Sequence, residues 1–389
     1  MTKLSTLFVI GALALTGCKK EQANEAPANK AATNATPTPV KAEPKPFEGT
    51  ELANFYLECH KHFSAGNMDG LKACYAPDAK STFVDSVAFT APLMGLQAIM
   101  ANTTEFRTAF PDVTSTPQLI LVNGRNIAAI VLVAGTNTGA MKSPKGEMPA
   151  TGKKFGQLQL HLVTVNAANQ VTEESWIADE GAMMAQLGLF ENHGRPLMEK
   201  GMDGAPIIAV AANNETETAN VAVARQGNEL FNKRDLTAAL ATVADDVVES
   251  DQGSPADMVG KPAMEAGWKM FTGAFPDGKM TEKTLWAAGD YVLSMTEFTG
   301  TMTGDMGPMK NTGKPAKFIA AELVKYEGGK VKHLTRFYNG AQMALQMGWM
   351  PAHEAAPAAA APAAAAPEAA KATATTTKTV TTTETKSSN

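Results

Sequence analysis

The chain is poor in the residues that most often announce chemistry. Its 389 residues include three cysteines and six histidines. No CxxC, HExxH, GxSxG or phosphate-binding glycine loop occurs in it. The metal-ligand, serine-nucleophile and nucleotide signatures that spacing alone can reveal are therefore missing. His60 and His62 stand two apart in a helical stretch, on different faces, and make no metal pair. Charge of one sign is also missing: 34 basic and 39 acidic residues leave a net charge of −5, with no basic stripe. Nucleic acid is not an expected partner for such a surface. Long apolar runs are scarce as well. The N-terminal run from Leu7 to Leu15 is too short to span a bilayer as a mature helix.

What is present begins with that run. "MTKLSTLFVIGALALTGC" carries an early cation, Lys3, then the apolar stretch, then small residues before a cysteine. The pattern is that of a signal peptide over residues 1–18. Its "LTGC" ending resembles the lipobox of bacterial lipoproteins, in which the cysteine, here Cys18, is acylated and becomes the new N-terminus. An ordinary secretory signal with a chance cysteine is the other reading. Several acyl chains on one residue would anchor the chain stably. Lys19, rather than an aspartate, follows the cysteine and points to the outer membrane, so the expected location is the cell envelope, facing the periplasm. Residues 19–46 and 351–389 are rich in Ala, Pro, Thr and Lys without apolar periodicity, and read as a tether and a tail. Cys59 and Cys74 then remain for an oxidising compartment. The stretch "SAGNMDG" between them reads as a helical-hairpin turn that would set them opposite each other, as a disulfide or as two buried thiols.

The central 300 or so residues suit two domains, and they contain a duplication. "AFPD" stands at 109–112 and again at 274–277. With a shift of 165 residues, Gly95 falls on Gly260, Phe106 on Phe271, and "GTNTG" (135–139) on "GTMTG" (300–304). After a small gap "TGKKF" matches "TGKPAKF", and "AQLG" matches "LQMG". Landmarks in one order at nearly one offset mark tandem domains. The expected boundaries are 47–190 and 219–350, with 191–218 as the linker and its "APIIAVA" apolar enough to lie on a neighbouring surface. Each copy reads as helices first and a strand meander after, which is an α+β domain with an antiparallel sheet curled against its helices.

The combined order of helices, "aFPD", "GTxTG", "TGKxF" and "W…D…QLG" resembles the SnoaL-like polyketide cyclase (ester cyclase) branch of the nuclear transport factor 2-like fold. The resemblance covers most of both repeats. It implies a cone in each: a curved sheet wrapped by helices around a mostly apolar pocket, usually paired through the convex sheet face. Two copies in one chain are then expected to pair with each other.

The strand "FGQLQLHLV" sharpens this. Period two puts Phe155, Gln157, Gln159 and His161 on one face and Leu158, Leu160 and Leu162 on the other. A polar row inside an apolar sheet is costly without partners, so the row is assigned to the pocket wall and the leucines to the neighbouring domain. The cyclases that this resembles use a pocket aspartate as general acid/base, assisted by Gln and His. By position the candidates are Asp179, Gln159 and His161, with Gln157, Phe155 and Trp176 lining the pocket. Burial would raise the carboxyl pKa towards working pH. The competing reading makes Asp179 the N-cap of the last helix. No metal or organic cofactor is required by this chemistry. In the second copy, aligning Phe155 with Phe318 puts Glu322 at the Gln159 position, Val324 at the His161 position and Asn339 at the Asp179 position. That copy is expected to keep the frame and lose the chemistry. Asp112 and Asp277 of "FPD" are expected to fix turns. Two functions stay open: binding of a small apolar carbonyl compound in the first cone, or cofactor-free acid/base turnover there.

Overall fold

In the computed structural model, residues 45–143, 146–189 and 194–349 are described. The signal peptide, Cys18, most of the tether and the C-terminal tail lie outside the described residues. Helix α1 (Thr50–Ala65) buries Leu52, Ala53, Tyr56, Cys59 and His60, a spacing that turns one stripe inward. It ends at Gly66 in the left-handed region, whose N–H reaches back to His62 and Phe63 carbonyls. Asn67 caps the short α2 (Met68–Ala73) by accepting the Gly70 N–H. Cys59 and Cys74 are joined by a disulfide between Cα atoms 6.1 Å apart, stapling α1 to the end of α2.

The first sheet follows. Its strands are β1 (Tyr75–Phe83), β2 (Leu93–Met94), β3 (Thr114–Asn123) and β4 (Asn126–Thr136), with α3 (Leu96–Ala109) inserted after β2. A small hairpin, β5 (Met141–Ser143) and β6 (Gly146–Met148), stands apart. Then come β7 (Lys154–Val165), β8 (Val171–Ile177) and the closing helix α4 (Glu180–Gln186). The sheet is largely antiparallel, but β1 lies parallel to β8. Strand β1 escapes sequence reading because "YAPDAKSTF" carries Pro77, Asp78 and Lys80, and its register slips between Tyr75 and Lys80 where the proline sits. The linker is not only a connection. Its "IIAV" forms β9 (Ile207–Val210), parallel to β3 at the sheet edge, so the strand order is β2-β1-β8-β7-β4-β3-β9.

The second repeat uses the same order: α5 (Glu215–Lys233), α6 (Leu236–Ala241), β10 (Val243–Asp251), β11 (Met258–Val259), α7 (Lys261–Ala274), β12 (Lys279–Ala288), β13 (Tyr291–Thr301), β14 (Pro315–Glu327), β15 (Lys330–Phe337) and α8 (Gly340–Met347). Its sheet runs β11-β10-β15-β14-β13-β12. Helix α5 starts with a capping box between Asn214 and Glu217.

The landmarks shared by both repeats prove to be frame. The Asp112 carboxylate accepts the Thr136 N–H and hydroxyl, each at 2.7 Å, and Asp277 accepts the Thr301 N–H at 2.7 Å. Each "FPD" therefore ties the end of a helix to the far "GTxTG" strand, beyond the local turn expected of it. Gln186 and Gln346 do the same at the other end, accepting the Gly156 and Lys317 N–H groups. On the helix side of the first sheet, Val131, Val133, Phe155 and Val163 pack with Leu52, Tyr56 and Phe110. On its other side Leu160, Ile177, Leu119 and Leu121 share a cluster with Leu293, Ala321, Leu323 and Phe337 of the second domain, and Leu158 and Leu162 pack against it. Each large aliphatic side chain buried this way contributes about 1.5–3 kcal/mol.

Candidate functional site

Strand β7 carries the polar row onto the concave face of the first domain. Gln157, Gln159 and His161 are all buried there, His161 to 2 % exposure. The His161 Nδ1 lies 3.0 Å from the Tyr56 hydroxyl of α1, and its Nε2 lies 3.3 Å from Gln159 Oε1. An amide oxygen can only accept, so the proton sits on Nε2 and Tyr56 donates to Nδ1. Burial, helped by the neighbouring His60, holds His161 well below the usual imidazole range. His60, one ring away at 5.5 Å and 2.7 Å from the Ser115 hydroxyl, is pushed by burial down to about 3. Both imidazoles are neutral at ordinary pH.

The carboxyl group of this interior is Glu174, which sequence reading passed over. Strand β8 pairs Trp176 with His161 and Glu174 with Val163, so Glu174 and Trp176 face inward together. Glu174 is buried and accepts the Tyr75 hydroxyl at 2.8 Å. Burial raises its pKa, opposed by the Ser81 and Tyr75 hydroxyls and the Trp176 indole that approach it. The Trp176 N–H faces this carboxyl without closing a hydrogen bond, and the buried Gln157 Oε1 likewise has no partner. An aromatic run crosses the same face: Phe89 stacks on Phe83 at 4.4 Å, Phe83 on Trp176 at 6.0 Å, and Trp176 tilts against His161 at 4.1 Å.

Asp179 is not part of this interior. It stands three positions after Trp176, an odd offset, and follows the outward side of Ile177. It lies at the domain junction, accepting the Gly181 N–H of its own helix at 2.9 Å and the Gly340 N–H of α8 at 3.2 Å. Burial, with these backbone donors opposing, raises it to about 6. The expected convergence of Asp179 with Gln159 and His161 is thus corrected: the second pair meets, and no hydrogen bond joins either to Asp179. Phe155 also leaves the pocket list. It is core, packed edge-on against Phe110 at 4.8 Å.

Register corrects the comparison of the two repeats. Strand β4 pairs Ala129 with His161 and Val131 with Gln159, while β13 pairs Ser294 with Glu322 and Thr296 with Ala320. Glu322 therefore stands at the His161 position and Ala320 at the Gln159 position. Anchoring on the two phenylalanines slipped the alignment by two residues, which preserves the face and hides the error. Leu334 replaces Glu174, and Arg336 replaces Trp176. Glu249 and Asp251 stand opposite them, at the places of Ser81 and Phe83. Arg336 donates to Glu322 at 2.8 Å and to Glu249, with Asp251 3.8 Å away. Burial pulls the guanidinium down, but the three carboxylates outweigh it and hold it well above its usual range. Burial still leaves Glu249 and Asp251 raised, since one cation cannot balance three anions.

Two shallow depressions lie on the surface: one of ≈ 310 Å³ beside Asp277, Thr301 and Lys317, and one of ≈ 210 Å³ beside Met68, Arg107 and Thr108. Neither is lined by the polar row. Among the described residues no group of three or more His, Cys, Asp or Glu is placed to hold a metal, and no helix is long and apolar enough to cross a membrane.

Two α+β cones in tandem, each a curved sheet closed by helices, define a protein of the nuclear transport factor 2-like fold. The sequence profile of the SnoaL-like polyketide cyclase family matches residues 50–187 and again 221–347, and the chain belongs to that family. Similar solved structures include the proposed hydroxylase AclR from Streptomyces galilaeus (20 % identity, 35 % of this chain and 85 % of that one, TM-score 0.32). A proposed SnoaL-like polyketide cyclase from Jannaschia sp. CCS1 gives 16 %, 39 %, 100 % and 0.32 on the same measures. The proposed polyketide cyclase IdmH from Streptomyces antibioticus gives 23 %, 35 %, 98 % and 0.31. Among curated proteins nothing matches the chain.

Proposed function

We propose that the protein is a lipid-anchored envelope protein that binds a small, largely apolar, carbonyl-bearing molecule in the cone of its first domain. The observation that carries the binding is the unpartnered buried Gln157 Oε1 on the concave face, beside the aromatic run. A buried polar group without a partner costs about 1–3 kcal/mol. A guest offering a donor to the amide oxygen would recover that cost, while the aromatic run would take its apolar body. The envelope location rests on the "LTGC" ending and is supported by the Cys59–Cys74 disulfide, which suits an oxidising compartment. The test is a screen of aromatic ketones and esters by thermal shift on the full chain. A hit whose affinity survives Trp176→Phe and Gln157→Leu sinks the assignment. Palmitate labelling that persists in Cys18→Ala sinks the anchor.

A second reading, cyclase-like acid/base turnover, is favoured by one observation: the buried Glu174 with its raised pKa beside the Tyr56–His161–Gln159 chain. A carboxyl whose pKa is raised by burial can hold, give up and take back a proton more readily than a solvated one. Under this reading Glu174→Gln abolishes conversion of a bound ester or enolisable ketone and leaves its binding within a fewfold. Unchanged turnover rules it out.

A further inference from the structure

The loop between β1 and β2, residues 84–92, carries Phe89, the outer ring of the aromatic run, over the concave face of the first domain. Its anchorage is unusual, because it is shared with the second domain. Asp85 sits in the left-handed region, φ 52°, where a residue with a side chain is strained by about 1 kcal/mol or more. In that pose its carboxylate reaches across and accepts the Ile319 N–H of β14 at 2.5 Å. Its carbonyl accepts the Asn339 side-chain amide at 3.0 Å. Glu180 closes the other half. It accepts the Ser86 hydroxyl at 2.5 Å and the Val87 N–H at 2.8 Å from the loop, and the same Asn339 amide at 2.9 Å. The Ser86 oxygen in turn accepts the Ala88 and Phe89 N–H groups, so the pull on Glu180 is transmitted to the backbone that holds Phe89.

The arrangement is one-sided. At the pseudo-equivalent places the first domain has Asp179 and Glu180 where the second has Asn339 and Gly340. Gly340 is needed there, since a side-chain carbon on it would lie 2.9 Å from the Asp179 carboxylate. The shorter loop of the second domain, 252–257, has Gly253 packed on the Tyr338 hydroxyl instead of an acid reaching across.

We infer that the second domain works as the latch of the first: the 84–92 loop stays shut over the aromatic run because Ile319 and Asn339 hold it. Opening the face to solvent requires Asp85 to release Ile319 and Asn339, and Ser86 and Val87 to release Glu180, which Asn339 holds in place, with the strain at Asp85 favouring release. This gives the second repeat a task that explains its kept frame and needs no ligand of its own. It holds whether or not the first cone binds a guest.

Hydrogen exchange on the full chain tests it. Asn339→Ser keeps a capping oxygen for α8 but cannot reach Glu180 or the Asp85 carbonyl. Asp85→Gly removes the Ile319 bond and relieves the φ strain within the first domain alone. Asn339→Ser is expected to speed exchange of amides 84–89 by about tenfold, the effect of losing roughly one hydrogen bond, and Asp85→Gly by less, because the relieved strain offsets part of the lost bond, while α3 amides stay unchanged in both. Arg195→Ala serves as control. It removes the linker's bonds to Ser250 and Asp257 and does not touch the loop. Equal acceleration by the control, or no acceleration by Asn339→Ser and Asp85→Gly, overturns the latch.

Discussion

The Asp179 carboxylate accepts the backbone N–H of Gly340 at 3.2 Å, bridging the helix starts of the two domains. A residue whose type and neighbourhood in sequence suggest chemistry is here a structural joint. It caps its own helix through Gly181 and grips the opposite one. Its cost is burial, which raises its pKa from 3.8 to about 6.

That cost sets the first expectation. A folded-state pKa above the unfolded value stabilises the protein below the unfolded pKa, and the benefit is lost as pH rises through the folded one. Asp179 therefore contributes least above pH 6, by an amount on the order of 3 kcal/mol relative to pH below 4. Asp179→Asn keeps an acceptor for both N–H groups and removes the charge. Urea denaturation should show it more stable than the parent at pH 8, by about 1–3 kcal/mol, with the difference vanishing near pH 4.

Gly340→Ala should weaken the same joint. The added carbon meets the Asp179 carboxylate at 2.9 Å, and overpacking of this kind costs about 1–3 kcal/mol. Combining it with Asp179→Ser should restore most of the loss. Strictly additive effects in the double-mutant cycle would show that the two residues do not meet.

His60 and His161 should stay neutral through the range in which free imidazole titrates. Their folded pKa values are lowered, so the stability they contribute is full above about 6.5 and drains as pH falls below it. Ring resonances of both should hold still between pH 8 and 5. A midpoint near 6.5 for either would place it outside the interior described here.

In the second domain, Arg336→Leu leaves Glu249, Asp251 and Glu322 without their cation. Removing one partner of a buried ionic group costs about 3–5 kcal/mol. The loss should be largest at pH 8 and shrink as pH falls, because burial already raises the pKa values of Glu249 and Asp251. Equal stability of parent and variant across that range would contradict the network.

The Cys59–Cys74 link closes a sequence separation of 15 residues, for which loop-closure entropy gives about 3 kcal/mol. Replacing both cysteines with serine should lower stability by that order in urea titrations. A dithiothreitol-treated parent should behave alike. No change on either treatment would argue that the two sulfurs are not bonded in solution.

Much of the frame was legible before any coordinates. Repeated landmarks located both domains, and alternation in "FGQLQLHLV" assigned the faces of β7 correctly, because strand parity is a local property of the backbone. The same rule, carried through "EESWIAD", would have found Glu174. Trp176 and Asp179 are three residues apart and cannot share a face of a regular strand. Once Trp176 is taken inward, Glu174 goes with it and Asp179 goes out. The two-residue slip at Glu322 has another origin: hairpins of unequal length leave phenylalanine anchors ambiguous, and parity does not detect an even shift.

The chain's own order of residues determined that there are two copies, which faces of the strands are polar, and where the helices begin and end. These follow from period, capping and turn chemistry within a few residues. Which carboxyl group lies inside the cone, and which lies between the domains, was decided only by folding. Pairing of β7 with β8 and the meeting of α4 with α8 join residues distant in the chain, and only such contacts fix what a buried charge faces.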